Sequence, residues 1–376
     1  MNFVLFLGAG FTKGIWKSAP IANELLGRAL KDMDRNSSSY DKFISKNVRE
    51  KARSIFPDLS GREEEANIEW LLDFIYNQAR TKHGPTATRI WDNLVNAVGR
   101  NLLIRPNRME QTDLRSFIAT LWKLQRKCHL TVVTTNYDLL IDKAAQRINF
   151  GLLSMKASPP TEREYWGPSI NLSRFQYGVP VRCVWIQKHK PKASFGAAVR
   201  DRRYASHTWR LLPNGIQVYK LHGSVNWAYC GNCKSLDLSS TGDEVLSVFS
   251  VNRIRCIERR CGNNYESPII PPLTAKNYKH PLINQLWNKA EEELAQANMV
   301  AFIGYGLPPA DSPVLQLILR GRERSRPHWD YWVVNPNVEV HGRFASLLGP
   351  ARRHDFRRFE PDLFAEVLSK NFALIP

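Results

Sequence analysis

The chain has 376 residues, 43% of them hydrophobic, with 17 Phe, 12 Tyr and 11 Trp, which excludes a fibrous or largely disordered protein and allows one large elaborated domain or two to three modules. Its 53 Lys and Arg against 35 Asp and Glu give a formal charge of +18, which predicts attraction to polyanions without choosing between nucleic acid, a nucleotide, a phosphorylated ligand and an acidic partner surface. No apolar run reaches the roughly 18 residues of a membrane helix and no basic leader precedes the first apolar stretch, so a cytoplasmic, non-membrane protein is expected.

In chain order, residues 3–7 form a continuous apolar run of the buried-strand type, followed by Gly8-Ala9-Gly10 and Phe11-Thr12-Lys13-Gly14. A strand ending in a glycine turn is where open α/β sheets bind ligands, because residues without bulk let backbone amides approach a pyrophosphate. The third glycine falls at Gly14, one residue later than the dinucleotide fingerprint requires. A helix is expected over 21–30. Helical periodicity with Pro and Gly breakers then fills 31–127, read as a helical insertion after the first βα unit.

Strand patterns resume at 130–134, 217–221, 299–303 and 331–334. Each ends in polar or glycine residues: Thr135-Asn136-Tyr137-Asp138, His222-Gly223-Ser224, Gly304-Tyr305-Gly306 and Asn335-Pro336-Asn337. These ends line the carboxyl edge of a parallel sheet. Between them, 151–214 is rich in proline and basic residues and poor in periodicity, and is read as a basic loop insertion. A helix is expected at 363–372.

Asp138 precedes an apolar run, so capping that segment is an alternative to a chemical role. His222 is the one side chain here that titrates unaided near neutral pH, and Gly223 behind it leaves room for a ligand. Cys230-x2-Cys233 and Cys256-x4-Cys261 supply four thiolates at structural-zinc spacing, within a module over 225–267. Four sulfur ligands leave no open coordination position, so a Zn²⁺ held here is expected to be structural; four ordinary reduced cysteines are the alternative. Cys128 and Cys183 stand outside it as buried small hydrophobes.

The order of these motifs resembles the sirtuin family, and more closely its bacterial sirtuin-like NAD-hydrolase branch of antiphage defence, over residues 4 to about 337. The resemblance implies an α/β, Rossmann-like parallel sheet (the sirtuin fold) formed by 1–30 and 128–376, with the helical insertion and the small four-cysteine zinc module. It implies NAD⁺ as substrate, bound by Gly8, Ala9, Gly10, Phe11, Thr12, Thr135, Gly304, Tyr305 and Asn335. Asn136, Asp138 and His222 are the implied catalytic residues. The implied activity is that of an NAD⁺ glycohydrolase depleting NAD⁺ on infection, with a homo-oligomer and a HerA-type ATPase as partners.

The segment after the cysteines, with Pro271 and Pro272, departs from the peptide-clamping strand of protein deacylases, because proline lacks the donor that strand addition uses. Deacylation or ADP-ribosyl transfer to protein is one alternative. A nucleic-acid-binding component is the other, carried by the basic stretch 182–210 and by Arg320, Arg322, Arg324, Arg326, Arg352, Arg353, Arg357 and Arg358.

Overall fold

The structure, a computed structural model, describes residues 1–35, 39–81, 85–102, 116–117, 119–121, 123–141, 172–177, 179, 181–186, 204–208, 210–239, 254–258, 260–269, 280–308 and 311–350. The helix expected at 363–372, the arginines from Arg352 onward and Pro271 and Pro272 lie outside them, as does most of 151–214.

The elements follow in order as β1 (Asn2–Leu7), α1 (Ala9–Ile15), α2 (Ala22–Arg35), α3 (Ser39–Ile55), α4 (Ile68–Thr81), α5 (Pro85–Leu102) and β2 (His129–Thr134). Then come β3 (Leu172–Gln176), β4 (Val181–Ile186), β5 (Tyr204–Thr208), β6 (Arg210–Lys220), β7 (Trp227–Cys230) and β8 (Ser235–Ser239). The last are α6 (Pro281–Gln296), β9 (Met299–Ile303), α7 (Ser312–Arg324), β10 (Asp330–Val334) and α8 (Val338–Leu348).

Six strands form a sheet in the order β10-β9-β1-β2-β6-β3, and every neighbouring pair is parallel. Central, doubly covered strands need apolar side chains on both faces, which explains the unbroken run in β1, where Phe3 to Leu7 are all buried. The chain lays β2 and β6 on one side of β1 and then returns to place β9 and β10 on the other. The strand order therefore reverses between β1 and β9, and the crevice outside their carboxyl ends is the ligand position such a sheet offers.

A second, four-stranded sheet runs β5-β4-β8-β7. Its strands β4 and β5, with β3 of the main sheet, lie in the segment expected to be loops, so that expectation is corrected. The Val-Arg-Cys-Val-Trp-Ile alternation of β4 is obscured in the sequence by its flanking prolines. Strand β6 also starts earlier than expected. Its Pro213-Asn214-Gly215 reads as a turn but sits where the β3–β6 register shifts between Ser173 and Phe175, an irregularity that tolerates a residue lacking an N–H.

Three cores hold the chain. The largest surrounds the main sheet and includes Phe117, Leu121 and Leu124. A second joins α2 to α5 from Leu25 to Leu102 and also takes in Leu139 and Val225, which flank the carboxyl edge of the sheet. By packing, the helical unit thus begins within α2 rather than at 31, and the last helical segment before β2 belongs to the sheet. A small third core of Ala228, Cys230, Ile254, Cys256, Ile257 and Tyr265 surrounds the cysteines.

Candidate active site

The expected strand ends come together at the carboxyl edge. Gly8 caps α1 on the amino side, so the glycine motif opens a short helix, whereas the sequence pattern predicts helix only from residue 21. The Gly8 N–H donates to the Ile303 carbonyl at 3.0 Å and the Gly10 N–H to the Gly304 carbonyl at 2.9 Å. Two of the three amides expected to face a pyrophosphate, those of Gly8 and Gly10, are therefore committed to the end of β9. Glycine is needed for another reason: a Cβ on Gly8 would lie 2.5 Å from Tyr305 Cα, and one on Gly304, whose φ is +62°, would lie 1.9 Å from the Phe11 nitrogen. Two turns interlock at the switch point, and only Ala9 of the motif is exposed. Phe11 turns into the core, its ring 4.8 Å from that of Phe117.

Asn136 lies just beyond β2. Its Nδ2 donates to the Gly8 carbonyl and to Thr12 Oγ1, both at 2.9 Å. A carbonyl only accepts, so the amide orientation is fixed and Oδ1 is the atom it presents to a ligand hydroxyl or water. Thr12 Oγ1 passes its own hydrogen to Asp138 Oδ2 at 2.8 Å, and Asp138 Oδ1 accepts from the Leu140 N–H at 2.9 Å. Asp138 is buried and acts as the local cap that its position before an apolar run allowed. Thr135 contributes its backbone: its carbonyl meets His222 Nδ1 at 3.2 Å.

That contact decides the tautomer of His222. Since Thr135 O accepts only, Nδ1 carries the hydrogen and Nε2 of the neutral ring is the basic nitrogen. The ring is buried and stacks on Tyr137 at 5.6 Å between centroids and 28° between planes. The room expected behind it for a ligand is taken instead by the chain: a Cβ on Gly223, at φ +77°, would lie 1.8 Å from the Pro268 carbonyl oxygen. Lys220, buried at the end of β6, donates to the Asp138 carbonyl and to Ser224 Oγ, both at 2.6 Å, and so ties the loop after β2 to β6.

Two residues of this network escape the sequence reading, Lys220 and Asp311. Asp311 precedes Ser-Pro at the start of α7 and reads as an ordinary helix cap. Yet its side chain makes no capping hydrogen bond; Oδ1 lies 3.9 Å from His222 Nε2 and Oδ2 accepts from the Tyr305 hydroxyl at 3.4 Å. Tyr305 is itself buried against Phe6. Asn335, beyond β10, reaches the Tyr305 carbonyl at 3.5 Å and accepts from the Asn337 N–H, joining the last two strand ends.

The four cysteine sulfurs all lie within 4.8 Å of one another, with Cys230 and Cys261 3.5 Å apart and Cys233 and Cys256 3.9 Å apart. Those separations are far longer than a disulfide and suit the edges of a tetrahedron around one ion with Zn–S bonds of about 2.3 Å. The residues fit structural Zn²⁺, which would cross-link β7 to the segment after residue 254. Asn232 donates to Cys261 Sγ, and with the Asn263 amide pulls that thiol down to about 6, toward the thiolate a metal needs. Cys128 is half-buried away from this cluster, its thiol pushed up to about 11 by burial; Cys183 lies on β4.

The arginines near α7 are engaged within the chain. Arg320 and Arg324 each meet Glu291 at 2.8 Å, Arg322 lies 4.9 Å from the Trp329 ring centroid, and Arg326 donates to the Ser325 carbonyl. Among the described residues no helix is long and apolar enough to cross a membrane.

No protein-family model matches the chain, and neither does any curated protein. Among solved structures it is similar to a Sir2 homologue mutant in complex with ADP-ribose, at 11% identity over 99% of this chain and 92% of that one, with a TM-score of 0.38. It is also similar to a Sir2 bound to an inhibitor, 2'-O-acetyl-ADP-ribose and a deacetylated peptide, at 13% identity, 100% and 95% coverage and a TM-score of 0.34. At these identities and scores no residue role is carried across.

Proposed function

We propose that the chain is an NAD⁺ glycohydrolase, cleaving NAD⁺ with water to nicotinamide, ADP-ribose and a proton. The observation that carries this reading is an oriented amide and an oriented base, each fixed at a strand end on the carboxyl edge of the sheet. Asn136 presents Oδ1 with both amide hydrogens anchored, and His222 holds a buried, basic Nε2 with Nδ1–H anchored on Thr135.

Cleavage of the nicotinamide bond needs no general acid, because the cationic pyridinium leaves as a neutral molecule with the C–N electron pair. What the protein must supply is a held ribose, stabilisation of an oxocarbenium-like transition state and a directed water. In this reading Asn136 orients the water or a ribose hydroxyl. The water oxygen bonds to the ribose carbon, and its proton passes to His222 Nε2 and then to solvent. Asp138 holds Thr12, and through it Asn136, while its negative charge favours the developing cation.

Loss of NAD⁺ poisons the cell that makes such an enzyme, so the activity fits a response released on demand, as in antiphage defence, and silent until assembly with further copies or a HerA-type ATPase. Purified protein, alone and co-expressed with its genomic neighbours, is incubated with NAD⁺ and the products separated by chromatography. Free ADP-ribose and nicotinamide in equal amounts support the reading. Acyl-ADP-ribose or labelled protein assigns the chain to the deacylase or transferase class instead, and salt-sensitive DNA binding without NAD⁺ loss to the nucleic-acid class.

A further inference from the structure

The geometry points to Asp311 as the positioning residue of His222, holding the imidazole in place and balancing its charge once Nε2 has taken a proton. This rests on the reading of His222 as the base. Three observations converge on it.

An aspartate at the start of a helix ordinarily accepts from the first turn of that helix, and Asp311 does not. Its carboxylate is buried, at 6% exposure, where an anion is costly to desolvate unless opposite charge or donors compensate. Two compensations are in place, the Tyr305 hydroxyl at 3.4 Å and the amino-terminal end of α7, whose dipole favours negative charge. The other oxygen points to the histidine nitrogen that the Thr135 contact leaves basic, 3.9 Å away. That separation exceeds a hydrogen bond but lies within the range in which an opposite charge favours the protonated ring.

The neutral ring is anchored at Nδ1–H by Thr135 O, and Asp311, at the start of α7, stands beside Nε2 as a carboxylate that becomes its partner once that nitrogen is protonated. Among the described residues Tyr137 stacks on the His222 ring and Asp311 faces its Nε2, while the adjoining network carries Asp138 and Lys220, bonded to each other, and Tyr305, bonded to Asp311. Lys220 donates to the Asp138 carbonyl and to Ser224, the Asp138 carboxylate accepts from Thr12 and from the Leu140 N–H, and Asp311 Oδ1 comes within 3.9 Å of Nε2. During the reaction the proton moves from water to Nε2, and the pair passes from a neutral ring beside a carboxylate to an ion pair.

The test uses Asp311→Asn, which keeps the shape and removes the charge, with Asp311→Glu as the charge-preserving control. The His222 ring is followed by NMR in histidine-labelled full-length protein, its signal assigned with His222→Gln. The expected result is a His222 titration moved to lower pH by about one unit or more in Asp311→Asn, and close to wild type in Asp311→Glu. With NAD⁺, kcat should fall tenfold or more in Asp311→Asn with little change in KM, and the acid limb of its pH profile should move the same way. A His222 titration unchanged in a folded Asp311→Asn protein overturns the proposal even if the wild type cleaves NAD⁺. If the titration moves while no form of the protein cleaves NAD⁺, the pairing stands and the glycohydrolase reading fails.

Discussion

Replacing Thr12 by Val tests the relay that orients Asn136. Thr12 is 3% exposed, and valine copies its shape while deleting one oxygen that accepts from Asn136 and donates to Asp138. A hydrogen bond to a buried ionised carboxylate is worth about 1.5–3 kcal/mol and a neutral one about 1 kcal/mol, so Thr12→Val should destabilise the fold by about 3 kcal/mol. That is a large share of a typical stability of about 5–15 kcal/mol. The neutral bond alone corresponds to about a fivefold preference for the oriented Asn136 rotamer, so kcat should fall by about that factor or more with KM little changed. Denaturant midpoints followed by tryptophan fluorescence give the stability change, and chromatographic NAD⁺ turnover gives kcat. Thr12→Ser keeps the hydroxyl and should recover most of both. If Thr12→Val unfolds at the wild-type midpoint and turns over at the wild-type rate, the relay carries neither stability nor orientation and this account of the site is wrong.

Two further predictions concern the metal and pH. Purified protein should carry one zinc per chain by elemental analysis, and Cys256→Ser should lose it. Because structural zinc contributes on the order of 10 kcal/mol to the folding of small modules, limited proteolysis should then cut between residues 230 and 266 while the main sheet persists; a metal-free protein with an intact module contradicts the assignment. On the helical unit, the Glu63 carboxyl is held down to about 2 from 4.5 by the Gly61 N–H and then by Arg53. A depressed carboxylate contributes stability that is present above its unfolded value and lost as pH falls through the folded one. The contribution should therefore disappear between about pH 4.5 and 2, and Glu63→Gln should flatten stability against pH in that window; an unchanged acid profile argues against it.

The central sheet is legible in the sequence because its signal is local. Strands at 299–303 and 331–334 are short apolar runs ended by Gly304 or Asn335, and buried parallel strands leave no other pattern open to the chain. The cysteine module is legible from spacing alone, since close pairs need only a turn to converge. What stays hidden depends on long-range contact. Nothing near Gly8 in sequence shows that its missing side chain makes room for Tyr305, nearly 300 residues away, and Gly223 gives way to Pro268 rather than to a ligand. Asp311 looks like a helix cap until the fold brings His222, in the turn after β6, to within 3.9 Å of it. Strands β3, β4 and β5 escape a sequence reading because they are short and set among flanking prolines and basic residues. Asn136, by contrast, is found at a strand end for a general reason: the crevice at the carboxyl edge is where polar side chains of several strands meet.

The most direct test of the central claim is the fate of NAD⁺ in a single comparison of wild type, Asn136→Ala and His222→Ala, each assembled with its genomic neighbours. Wild type should convert NAD⁺ to nicotinamide and ADP-ribose in equal amounts, and both folded variants should leave it intact. Turnover retained in either variant, or NAD⁺ untouched by the wild type in every assembly, contradicts that claim.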